Sequence, residues 1–130
     1  MNTITNFLIG LVAVLHIGFL ILEMFLSKNK SVREWLLGES INSVNQPGIK
    51  LIVQLAMNMG LYNGFLAAGL IWSLFATQFA FEIQLFFLSC IIIAGIFGSF
   101  TVKKSIILTQ AVPAITALIS VWFTNNSTLL

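Results

Sequence analysis

Glu23, His16, Tyr62, Asn58, Asn63 and Gln110 are the residues of this chain that could hold a ligand or move a proton, and all six fall within apolar runs. A carboxylate, an imidazole and a phenol exchange protons, while each amide both donates and accepts hydrogen bonds. In a bilayer interior no water satisfies such groups, so other helices, a trapped water or a ligand must do so. Spacing adds a constraint. His16 and Glu23 lie two turns apart on one helical face, and Gln54, Asn58 and Tyr62 share a face at four-residue intervals. These two faces are expected to meet across a bundle.

Each group also has a plain structural reading. Glu23 could pair with Lys28 at the headgroup level or accept hydrogen bonds from Gln110 or Asn58; its functional reading is a proton-linked or ligand-binding carboxylate. His16 could be a hydrogen-bonded bundle histidine or a proton relay. One histidine, the single Cys90 and no acidic residue at ligand spacing argue against a metal site. No second axial histidine or C-x-x-C-H motif supports haem, and the cofactor is left unknown. Gly60-x-x-x-Gly64 and Ala94-x-x-x-Gly98 are patterns that let helices approach closely. Pro113 should free a carbonyl near Thr109 and kink the last helix beside Gln110.

The elements that must position these groups follow from composition. Of 130 residues, 58% are hydrophobic and 8% charged, against about a quarter charged in soluble domains, so the chain reads as an integral membrane protein. Four apolar runs, 4–26, 51–75, 81–100 and 106–123, each have roughly the 20 residues a helix needs to cross the hydrocarbon. The short gaps at 76–80 and 101–105 impose antiparallel hairpins. The expectation is an all-α, single-domain, up-down bundle of four transmembrane helices. Between the first two, Ser31-Val-Arg-Glu34 reads as a capping box, followed by Trp35, Leu36, Leu37 and a Gly38 stop, which predicts a short interfacial helix. Lys28, Lys30 and Arg33 would face anionic headgroups, and Pro47 and Gly48 mark the start of the second spanning helix.

All six basic residues, Lys28, Lys30, Arg33, Lys50, Lys103 and Lys104, fall in the two connections that an even-helix bundle places on one side. The positive-inside rule makes that side cytoplasmic and both termini external. The first residues lack a positive n-region, so no cleaved signal peptide is expected. A net charge of +2 points to no nucleic acid.

Four segments, Leu22-Glu-Met-Phe25, Asn58-Met-Gly-Leu-Tyr-Asn-Gly-Phe-Leu-Ala-Ala-Gly69, Ala94-Gly-Ile-Phe-Gly98 and Gln110-Ala-Val-Pro113, resemble the ordered signature of domain-of-unknown-function family 1304, small integral membrane proteins. The similarity covers nearly the whole chain. It departs at Met59, where the family pattern favours Gln. The resemblance implies a four-helix bacterial membrane protein of the cytoplasmic membrane, carries over Glu23, Asn58, Tyr62, Asn63, Gln110 and Pro113, matches His16 to the usual histidine of the first helix, and brings no reaction.

The function expected is therefore a polar intramembrane pocket that binds, and in a transporter would move, a small amphipathic or lipid-like molecule such as a quinone, isoprenoid or drug-like cation. Small multidrug transporters share the length, helix number and a first-helix carboxylate, an analogy at the level of fold. The alternative is a non-catalytic scaffold or assembly subunit, with the polar groups as interhelical glue. An intramembrane enzyme ranks last, because no nucleophile or cofactor motif accompanies Tyr62 and His16. The partners expected are the lipid bilayer, a small amphipathic ligand and, in a homodimer, a second copy of the chain.

Overall fold

A computed structural model describes residues 2–37 and 44–127, and every regular element among them is helical. Helix α1 (Thr3–Leu20) runs into a π-helical turn (Ile21–Phe25); α2 (Lys30–Leu37) is short; α3 (Gln46–Phe75) and α4 (Ala80–Thr101) are long; and a second π turn (Ile107–Ala111) leads into α5 (Val112–Ser127). Four segments are long and apolar enough to cross a membrane: Thr3–Phe25, Gln46–Phe75, Ala80–Thr101 and Ile107–Asn126. Phe7, Val14, Trp72, Ile93, Phe97 and Phe123 are all more than half exposed. Water penalises such an exterior on every long helix, whereas lipid does not.

The helices begin where local chemistry can satisfy their first N–H groups. Asn2 Oδ1 accepts from Ile4 N–H at 3.1 Å. The short helix begins earlier than the Ser31–Glu34 capping box suggests: Asn29 Oδ1 accepts from Ser31 N–H at 2.9 Å, and Glu34 instead pairs with Lys30 at 3.7 Å. Asparagine and serine rank alike as caps, and here Asn29 takes the position. The Gly38 stop lies outside the described residues. Arg33 Nη1 donates to the Ser27 and Lys28 carbonyls, which ties α2 back to the segment that follows the first π turn. Helix α3 starts at Gln46 rather than 51, because Asn45 Oδ1 accepts from Gly48 N–H at 3.0 Å and Pro47 lies in the first turn, where no N–H is needed.

The chain's contacts group into two compact units. The first takes the start of α1, the end of α3, and all of α4 and α5. Its core is Ile9, Val12, Ala13, Leu70, Leu88, Ile91, Ala114, Ala117 and Val121. Helices α4 and α5 pack antiparallel, as the contacts of Gly95 with Ala111, Gly98 with Ile106, and Phe81 with Trp122 run in opposite chain directions. Thr5 Oγ1 hydrogen-bonds Ser120 Oγ at 2.8 Å and Thr124 Oγ1 at 2.9 Å, fastening the start of α1 to the end of α5. Lipid supplies no hydrophobic drive between helices, so close packing and such bonds hold this unit.

The second unit is His16–Phe65. Here the end of α1 packs antiparallel against α3, with Gly60 on Glu23 and Met24 and Gly64 on Leu20.

Candidate functional site

The polar contact at the centre of the second unit depends on the shape of the π turn. Leu26 N–H bonds to the Ile21 carbonyl at 3.2 Å, five residues back, so one extra residue is accommodated within the turn. Such turns widen a helix locally. The backbone of α3 rests directly on this one: a β-carbon on Gly60 would lie 2.8 Å from Met24 N and 3.1 Å from Glu23 Cβ. Only glycine permits that approach. Three residues on, Asn63 Nδ2 donates to Glu23 Oε2 at 2.7 Å, a short bond between an amide and a carboxyl group.

Asn63 is buried, at 8% exposure, while Glu23 is half-buried. Its second oxygen, Oε1, accepts no hydrogen bond among the described residues and is not sealed from the surroundings. The arrangement is thus a carboxyl group oriented through one oxygen and open at the other. It can accept a further donor or hold a positive group.

The remaining predicted residues are placed differently. His16 is buried at 1% exposure on the same helix as Glu23, with its ring set edge-on to Phe19 at 5.6 Å between centroids. Gln54, Asn58 and Tyr62 do share a face, but that face is exposed, and α1 meets Gly60, Asn63 and Gly64 instead. Glycines allow backbone contact, so they, rather than the bulkier amides, select the packed face. Tyr62 has Phe65 beside it, with ring centroids 6.2 Å apart.

Gln110 belongs to the first unit, on the second π turn. The device there repeats: Val112 N–H bonds to the Ile107 carbonyl, and a β-carbon on Gly95 would lie 2.8 Å from Ala111 N and 3.1 Å from Gln110 Cβ. Pro113 follows in the first turn of α5, so the π turn stands where a kink is expected from the missing N–H. Gly95 makes this contact, and Ala94 is exposed.

A polar cluster that the sequence reading passed over lies in the first unit. Thr5, Gln84, Thr124 and Asn125, with Phe81 and Val121, line a cavity of about 190 Å³. Its signal was the Ser120–Thr124 hydroxyl pair, one turn apart in an otherwise apolar helix. The space is smaller than the roughly 300 Å³ at which small-molecule pockets begin. Among the described residues no three His, Cys, Asp or Glu side chains gather as a metal site.

Four helices long and apolar enough to span a bilayer, with an apolar exterior, define a multi-pass membrane protein. The family described as "Protein of unknown function (DUF1304)" matches residues 10–122, and the chain belongs to it. It is also similar to the uncharacterized protein YpaA of Lactococcus lactis subsp. lactis (strain IL1403), 34% identical over 124 residues, which cover 95% of this chain and 100% of that one. No solved structure matches the chain.

Proposed function

We propose that this protein is a bacterial cytoplasmic-membrane protein, a single up-down bundle of four spanning helices with both termini outside, that binds a small amphipathic cation at Glu23 and carries it through the bilayer. One observation carries the reading: inside a spanning segment, the Asn63 amide holds one oxygen of Glu23 at 2.7 Å while the other remains open. An unpaired carboxylate within hydrocarbon is costly, and a bound positive head group offsets that cost. The apolar body of the same molecule would lie against the surrounding leucines and phenylalanines, which supply affinity without direction. His16, two turns deeper on the same helix, would exchange protons as the head group arrives and leaves. The orientation rests on the six basic residues falling in two connections.

A scaffold or assembly role is the second reading, favoured by the exposed amides of α3. The two separate in a binding experiment. Purified protein in lipid nanodiscs should bind tetraphenylphosphonium saturably, and Glu23→Gln should weaken that binding at least about tenfold, because a charge partner is lost. Asn63→Leu, which frees the carboxyl group to rotate, should weaken it less. Absence of saturable binding by the unaltered protein, or equal binding by Glu23→Gln, sinks the proposal.

A further inference from the structure

The exposed face of α3 raises a separate problem. Gln54, Asn58 and Tyr62 lie on it, and their side chains make no hydrogen bond with any described residue. Counting inward from Lys50 at 1.5 Å per residue, they sit roughly 6, 12 and 18 Å deep. Acyl chains offer no partner at those depths, and each unsatisfied group there is costly. Asn58 is about 140° around the helix from Asn63, so the Glu23 site cannot use it.

The apolar residues around them supply the rest. Leu51, Leu55, Asn58, Tyr62 and Phe65 follow one another at spacings of four, three, four and three. That is the 3.5-residue repeat of a seam between two parallel helices. Leu51, Leu55, Tyr62 and Phe65 are 55–56% exposed, so no described residue covers the seam.

We infer that α3 packs in parallel against α3 of a second copy of this chain, with Asn58 bonded to its own counterpart across a two-fold axis normal to the membrane. Copies inserted the same way present α3 in the same direction, so the pairing is parallel by necessity. In that geometry each seam residue faces itself. An amide suits such a position because its carbonyl end is negative and its NH2 end positive, and two related by a two-fold axis exchange bonds reciprocally. Gln54 flanks the seam and can bond likewise. Lys50 falls off it, so the two like charges do not oppose each other. A single amide within an apolar seam also fixes register, since any slip would leave it opposite a leucine or an aromatic ring.

The test is made in native membranes on a Cys90→Ser background. Oxidative crosslinking should join copies carrying Leu55→Cys well above those carrying Ile93→Cys, a 68% exposed position on α4 that reports random collision. Fluorescence energy transfer during lipid dilution should show association weakened about tenfold by Asn58→Leu and preserved by Asn58→Gln. Crosslinking at position 55 no greater than at position 93 would overturn the inference. So would Asn58→Leu associating as the unaltered chain does, or a photocrosslinker at position 58 capturing a different protein instead of a second copy. Tetraphenylphosphonium binding at Glu23 is a separate readout, so either idea can fail alone.

Discussion

Glu23 and Asn63 are forty residues apart in sequence, and Gly60 brings them together by letting the backbone of α3 reach the π turn that carries the carboxyl group. The bond has unequal consequences for its two partners. Glu23→Gln keeps a carbonyl oxygen for the Asn63 amide, so its thermal unfolding in detergent should match that of the unaltered protein. Glu23→Leu leaves a buried amide without an acceptor and should lower stability by about 1 kcal/mol. Equal melting temperatures for Gln and Leu at position 23 would show that the bond carries no weight. The sequence identified both residues as buried polar candidates, because an ionisable group in an apolar run always raises that question. It did not pair them, since Asn58, Gln110 and Lys28 were equally eligible partners for Glu23. Register across two helices is decided by side-chain volume at positions such as 60, which composition does not reveal.

At the scale of elements, each of the two π turns has a glycine of a neighbouring helix resting directly on its backbone. Spacing alone flagged Gly60 and Gly64 together, yet their surroundings differ. A β-carbon at position 60 meets the Met24 backbone at 2.8 Å, whereas at position 64 it meets the flexible end of Leu20 at 3.4 Å. Gly60→Ala and Gly95→Ala should therefore each destabilise by about 1–3 kcal/mol, while Gly64→Ala stays near neutral. Thermal melts of the three variants in one detergent decide the matter, and a Gly64→Ala as damaging as Gly60→Ala would contradict this reading. The spanning helices themselves were legible, with ends within a few residues, because a bilayer demands length and apolarity and little else. The π turns were not, since no residue pattern distinguishes Ile21–Phe25 from an ordinary last turn. Pro113 pointed near the second turn without specifying its form. Helix α2 shows the same limit, as Ser31 and Asn29 both qualify as caps and only the structure selects Asn29.

For the whole molecule, the distribution of charge supports a testable orientation. In intact cells on a Cys90→Ser background, Thr77→Cys in the α3–α4 connection should react with an impermeant maleimide, and Lys30→Cys should react only after permeabilisation. The reverse pattern would place the basic connections outside. Function at this scale rests on whether the oriented carboxyl group of Glu23 holds a molecule drawn from the membrane. Native mass spectrometry of protein released directly from membranes addresses that most directly, comparing the unaltered chain with Glu23→Gln, which keeps the Asn63 bond and the fold. The unaltered chain should carry a small cationic adduct that Glu23→Gln loses; an identical adduct profile on both proteins would contradict a ligand held at Glu23.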